Sequence, residues 1–251
     1  MFKKHYLAMK FLSFCILSVS FVLIGCTTYY GNGNLATMTS FVPKPAFESD
    51  SAKMHHFISG SYNRSVGNSV YNKEDQNTFG ELSYTIVNSQ KRNKFAYTFF
   101  GYYGEFGVNA FEKESSLNGK YSYGGVGATL DFVNVSPIKL KNIELRPIGL
   151  RGTFLREFGE FSNFRNSNDS LMNLNPMGMS VTIGATSEIV IRSKKNQYGF
   201  FHTFGYTPLL NFHYGLSLYT RFNDLFYLSL KYNTHSYGYG MLGLGCSFVV
   251  K

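Results

Sequence analysis

Two neighbouring segments alternate in character residue by residue, and this constrains the fold more than anything else in the chain. In the first, Phe212, Tyr214, Leu216, Leu218 and Thr220 fall opposite His213, Gly215, Ser217, Tyr219 and Arg221. In the second, Phe226, Leu228, Leu230 and Tyr232 fall opposite Ser229, Lys231 and Asn233. Between them Asn223-Asp224 suits a two-residue hairpin turn. Side chains alternate across a strand with period two, whereas a helix repeats near 3.6, so the region is antiparallel β-structure.

The same pattern returns upstream, where Met179, Val181, Ile183 and Ala185 oppose Ser180, Thr182, Gly184 and Thr186. Strand-like segments are expected at about 55–65, 78–88, 94–106, 119–133, 142–158, 177–193, 197–207, 212–222, 225–235 and 239–250. Most reach the nine to eleven residues that a tilted strand needs to cross a bilayer. Their connections alternate in length. Residues 66–77, 107–118 and 159–176 are long and polar, 88–93 and 193–196 are short, and 134–141 is intermediate. Long loops at one end and short turns at the other are the asymmetry of outer-membrane barrels. The parity weakens at 207–211 and 236–238, which are short where long loops are expected.

Alternation alone does not say which face meets water. A soluble barrel points its apolar residues inward and a membrane barrel points them at lipid. The polar face here is rich in Gly, Ser, Thr, Tyr, His, Lys and Arg, which suits a crowded or watery lumen. Aromatics gather near strand ends, as in Tyr97-Thr98-Phe99-Phe100, Tyr102-Tyr103, Phe200-Phe201 and Phe226-Tyr227, and such residues form interfacial girdles. Residues 239–250 resemble the Gly-alternating terminal strand of bacterial outer-membrane barrels, although Lys251 follows where an aromatic is usual. The leading expectation is therefore an all-β fold, an antiparallel up-and-down barrel of eight to ten strands, most simply ten, embedded in a membrane.

The N-terminus carries a different signal. Lys3, Lys4 and Lys10 precede an apolar and small-residue run from Phe11 to Ile24, too short for a permanent span and suited to a signal peptide. Leu23-Ile24-Gly25-Cys26 resembles a bacterial lipobox, which implies cleavage between Gly25 and Cys26 and acylation of the Cys26 thiol. Three parts follow: a lipoprotein signal peptide (1–25), a lipidated tether stiffened by Pro43 and Pro45 (26–53), and a barrel domain (54–251). No Asp follows Cys26, which by resemblance to lipoprotein sorting rules favours the outer membrane. The whole arrangement resembles Bacteroidetes-type lipoproteins with an outer-membrane-barrel-like domain, a family of unknown function.

Removing residues 1–25 takes three lysines and lowers the formal net charge from +9 to +6. The positive charges are scattered, which excludes a nucleic-acid signature and allows contact with anionic headgroups or lipopolysaccharide. Of the three cysteines, Cys15 leaves with the signal and Cys26 is acylated. Cys246 is then left without an intramolecular partner and is expected as a small buried hydrophobe.

Little here points to chemistry, and no enzyme is expected. His235-Ser236 is similar to the His/Ser pairs of lipid A deacylases, with Glu188 as a conceivable third member. Adjacent strand residues face opposite ways, however, so the pair cannot act together in regular geometry. The same applies to His55-His56. His202 and His213 could approach across a hairpin, but two histidines are a poor metal site, and no metal or cofactor is expected. Arg146, Arg151, Arg156, Glu144 and Glu157 share one segment, with Arg146 and Arg156 expected on the face of Glu144, and these charges either pair across a narrow lumen or line a small anion-preferring pore. The function expected is structural or surface-interacting, through a barrel at the outer membrane of a Gram-negative cell. Its partners are membrane lipid, through acylated Cys26 and the barrel, and lipopolysaccharide or a surface partner at the long loops. The alternatives are a tethered soluble barrel carrying a small hydrophobic ligand, and a lipid A-modifying enzyme.

Overall fold

The computed structural model describes residues 53–66, 76–89, 94–109, 117–133, 138–168, 178–193, 196–207, 211–222, 225–235 and 240–250. The signal peptide, the Gly25–Cys26 cleavage site, the lipidated Cys26 and the tether up to residue 52 lie outside the described residues. Eleven strands follow in order: β1 (Lys53–Val66), β2 (Gln76–Ser89), β3 (Lys94–Val108), β4 (Gly119–Val133), β5 (Ile138–Leu140), β6 (Ile143–Phe158), β7 (Met179–Arg192), β8 (Asn196–Thr207), β9 (Asn211–Phe222), β10 (Phe226–His235) and β11 (Gly240–Val250). Among the described residues one helix, α1 (Glu160–Ser167), sits between β6 and β7.

Every long strand pairs antiparallel with its neighbours in sequence, β4 pairs with β6, and β1 pairs with β11. The ring is thus a closed up-and-down barrel of ten strands, which leaves no open edge. The three-residue β5 stands outside the ring and folds back on the foot of β6, from Ile138 opposite Leu145 to Leu140 opposite Ile143. Lys141 makes that reversal with φ of 49°. The expected strand ranges match the observed ones to within two residues, while β5 and α1 fall in segments read as connections.

Register fixes which residues face inward, and the result inverts the polarity of a barrel in water. Outward positions carry Leu82 at 71% exposure, Ile183 at 69% and Leu244 at 66%. Phe99, Leu150, Leu228 and Leu230 are exposed with them. Inward positions hold Glu81, Asp131, Arg146, Arg151, Glu188 and Lys231, all buried. The polar rows of the sequence face the lumen and the apolar rows face out. No helix among the described residues is long and apolar enough to cross a membrane.

One irregularity changes the expected faces. Between Arg146 and Gly149 the β6–β7 register shifts by one residue, a bulge next to Pro147. Below it Glu144 and Arg146 point inward, and above it Arg151, Thr153, Leu155 and Glu157 do. Arg156 consequently faces outward and exposed, so it does not share the face of Glu144 and Arg146 as regular alternation predicts.

Candidate functional site: the lumen and the helix at its mouth

Three tiers of side chains line the lumen, and their ion pairs join neighbouring strands β4, β6 and β7 along the wall, not across the lumen as expected. Nearest the short turns, Arg146 donates from Nε to Glu144 Oε1 at 2.8 Å and from Nη1 to Glu188 Oε2. Arg192 also bonds Glu144, and Tyr219 donates to Glu188 Oε1. Each buried charge here has an opposite charge beside it, which is the condition for keeping ions away from water. Phe57, Val87, Ala96, Phe201, Tyr219 and Tyr227 pack as one cluster in the same region. That cluster joins β2 and β3 to β8 and β9 on the far wall, so it spans the bore.

The middle tier holds a two-pronged ion pair. Arg151 donates from Nε to Asp131 Oδ1 and from Nη2 to Asp131 Oδ2, both at 2.8 Å, and its guanidinium lies 5.2 Å from the centre of the Phe201 ring. A row of threonines winds up the wall. Thr85 meets Thr98 at 2.9 Å, Thr129 meets Thr153 at 3.0 Å and Thr182 meets Thr207 at 2.6 Å. These residues follow one another in cross-strand register from β2 to β8. Inward hydroxyls thereby satisfy one another without water.

At the long-loop end α1 forms a plug. Gly159 precedes it at φ 111°, where an added Cβ would meet the Ser122 carbonyl oxygen at 2.9 Å. Gly178, at φ 57°, closes the segment against the Glu157 backbone. Both positions need the left-handed backbone and the missing Cβ that glycine supplies. Within α1, Phe161, Phe164 and Arg165 recur at helical spacing on one face, and all three are buried. Phe161 stacks on Phe106 with centroids 4.3 Å apart, and Phe164 packs on Tyr121 at 4.4 Å. Arg165, fully buried, bonds Glu157 and lies 5.1 Å from the Phe161 ring centre. Outside, Glu160 accepts from the Ser122 amide at 3.0 Å and from its hydroxyl at 2.8 Å. Those two donors favour the carboxylate and hold Glu160 below the ordinary glutamate pKa.

The other singled-out residues fall as follows. His55 faces in and His56 faces out, where His56 Nδ1 meets the Tyr84 hydroxyl at 2.7 Å. His202 and His213 do not meet, because they lie on opposite faces of the wall. His213 is inside with Nε2 2.8 Å from the Thr207 hydroxyl, while His202 is on the outer side with Nδ1 3.2 Å from the Ser187 hydroxyl. Glu188 belongs to the Arg146 network on β7 and is not on a strand next to β10, which carries His235. Ser236 lies outside the described residues. Cys246 is not a core residue: it shares the outward face of Leu242, Leu244 and Phe248 and is half-buried. Among the described residues no group of three His, Cys, Asp or Glu side chains is placed to hold a metal ion.

No family model and no curated protein matches the chain. Among solved structures it is similar to an outer membrane channel from Pseudomonas putida F1, with TM-score 0.42 and 12% identity over 84% of this chain and 100% of that one. It is similar too to the translocator domain of the autotransporter NalP from Neisseria meningitidis, with TM-score 0.43 and 9% identity over 80% of this chain and 90% of that one. Neisserial surface protein A gives TM-score 0.34 and 9% identity, covering 79% of this chain and 98% of its own. The likeness is one of fold, and a barrel architecture hosts many roles.

Proposed function

We propose that the chain is a lipid-anchored outer-membrane barrel that acts through its long loops, without catalysis and without an open pore. The observation that carries this reading is the inverted polarity joined to a filled lumen. An apolar exterior on strands of 10 to 16 residues suits hydrocarbon. Charges paired inside, with α1 over one end, suit a barrel that conducts nothing. A tethered soluble carrier needs the reverse faces and an apolar interior, and the buried tiers of Arg, Asp, Glu and Thr oppose it.

Leu23-Ile24-Gly25-Cys26 supports the anchor, and the long connection that follows β1 places the start of β1 at the short-turn end, so that a periplasmic tether puts the long loops outside. In that arrangement the loops 67–75, 110–116 and 169–177 meet lipopolysaccharide or a surface partner. The test is the Cys26→Ala protein. It should stay in the membrane fraction after carbonate washing, need detergent for extraction and shift in gel mobility on boiling. A Cys26→Ala protein that dissolves freely in buffer refutes the spanning barrel, and an unchanged lipid A profile on deletion argues against a lipid-modifying enzyme.

A further inference from the structure

We propose that the stretch just before β1, residues 46–52, folds back across the short-turn mouth of the barrel and answers the cations there with Glu48 and Asp50. Charge inside the ring does not balance at that end. Toward the long loops Arg165 is matched by Glu157, and at mid-height Arg151 is matched by Asp131. Glu81 lies within electrostatic reach of Lys231. Below them, among the described residues, the inward cations Lys94, Arg146, Arg192 and Arg221 stand over Glu144 and Glu188, four positive charges to two negative. The excess of two is a sum, whatever contact each cation makes.

These charges are also withheld from water. Lys94 opens β3 and Arg221 is next to last in β9, yet they are 1% and 7% exposed. Arg192 ends β7 and commits Nη2 to Glu144, and its Nε is buried with no hydrogen-bond partner among the described residues. Ser89 Oγ, at the foot of β2, is in the same position. Uncompensated charge kept from water is costly, so this mouth calls for two carboxylates.

The chain carries them next door. Between Cys26 and Lys53 its only carboxylates are Glu48 and Asp50, and its only cation is Lys44. Ten strands about 4.8 Å apart and tilted near 40° close a ring roughly 20 Å across. β1 starts on that rim, two strands from Lys94 and three from Arg221. Those separations are about 12 and 16 Å across such a ring. An extended chain covers about 3.4 Å per residue, which carries Asp50 roughly 10 Å and Glu48 roughly 17 Å from Lys53. Asp50 thus reaches Lys94, and Glu48 reaches Arg221. A segment already attached acts at an effective concentration of about millimolar, so it fills the mouth ahead of an acidic partner in solution. None of this needs an acylated Cys26 or a membrane, so it stands or falls apart from the reading above.

Hydrogen exchange of the full chain in detergent micelles tests the docking. Amides of 46–52 should exchange more slowly than their intrinsic rates. Glu48→Gln with Asp50→Asn should cut that protection roughly 3- to 30-fold, the loss of two partly screened ion pairs. Salt at about 0.5 M should do the same to the native chain and change the double variant little. Arg221→Gln should act in the same direction, with heat-modifiable mobility showing that the barrel is intact. Where Arg221→Gln does not fold, the tether variants, which touch no strand, still decide. Intrinsic exchange at 46–52 in the native chain overturns the proposal, and so does protection that survives loss of both carboxylates. Free exchange at 46–52 together with binding of a labelled oligoglutamate peptide assigns the mouth to an acidic partner and overturns it as well.

Discussion

Arg165→Ala should undock α1 and leave the barrel closed beneath it. Arg165 and Glu157 are both fully buried at their side chains, and Arg165 also lies over the Phe161 ring. Removing one partner of a buried ion pair costs about 3–5 kcal/mol, because the other charge is left without compensation. The cost falls on docking, because the strands beneath keep their ladder hydrogen bonds while α1 can swing into water and let Glu157 hydrate. At about 1.4 kcal/mol per factor of ten, that moves the docking equilibrium by roughly two to three and a half orders of magnitude.

Hydrogen exchange in detergent micelles or nanodiscs reads this directly. Amides of 160–168 should lose protection by about two to three orders of magnitude, while those of β3 and β7 change less than roughly tenfold. Planar-bilayer conductance should stay near zero, since the cluster from Phe57 to Tyr227 still crosses the bore. Glu157→Gln with Arg165→Met should recover most of the protection, because the pair is then removed together. If α1 keeps its protection in Arg165→Ala, or if all strands lose protection in step, the idea of an independently docked plug is wrong.

Glu160 gives the plug a pH dependence of known sign. Its carboxyl is held below 4.5 by the two Ser122 donors, so the latch is in place above that value and is lost as the pH falls through the lowered pKa. Protection of α1, taken relative to intrinsic exchange at each pH, should therefore fall on acidification in the native chain and lose that dependence in Glu160→Gln. Leu82→Arg puts a charge at the middle of β2 on the outer face, which costs about 2–4 kcal/mol at a bilayer midplane. Urea titration in lipid vesicles should show that loss, and an unchanged midpoint would argue against hydrocarbon on this face. Thr98→Val leaves the Thr85 hydroxyl without its partner and should destabilise by about 1–3 kcal/mol, whereas the double Thr85→Val, Thr98→Val chain should sit near neutral.

The barrel was legible because its evidence is local and repeated. Leu228 and Leu230 against Ser229 and Lys231 reveal a strand and its two faces to anyone counting by twos. Alternation alone does not tell the inward face from the outward one, and it was the Gly, Ser, Thr and Arg content of the polar rows that pointed them to the lumen. The threonine row was hidden for another reason. Thr85, Thr98, Thr129, Thr153, Thr182 and Thr207 stand on six different strands, and only the stagger of the closed sheet aligns them. The helix α1 escaped because Glu160–Ser167 is short and its partners, Phe106, Tyr121 and Ser122, are distant in sequence. Gly159 immediately before a Phe161, Phe164, Arg165 spacing was the one available hint.

The fate of Arg156 shows how far alternation can be trusted along one strand. Parity counted upward from Glu144 assigns Arg156 to the lumen, and it holds only until the bulge at Pro147. Between Arg146 and Gly149 this strand spends three steps while β7 spends two, from Glu188 to Thr186. The extra residue keeps Glu144 and Arg146 inward below, and Arg151 and Glu157 inward above, so both buried ion-pair tiers can be built on one strand. Deleting Pro147 should therefore be tolerated: Ile148 then stands alone between two inward residues, points outward as it already does, and the ladder becomes regular. Deleting Gly152 removes a residue from a stretch that is already in step, and turns one side of the break around. Either Arg151 or the Leu155 and Glu157 row would then face lipid. Heat-modifiable mobility should survive the first deletion and fail in the second. If both deletions behave alike, the bulge does not set the faces of β6.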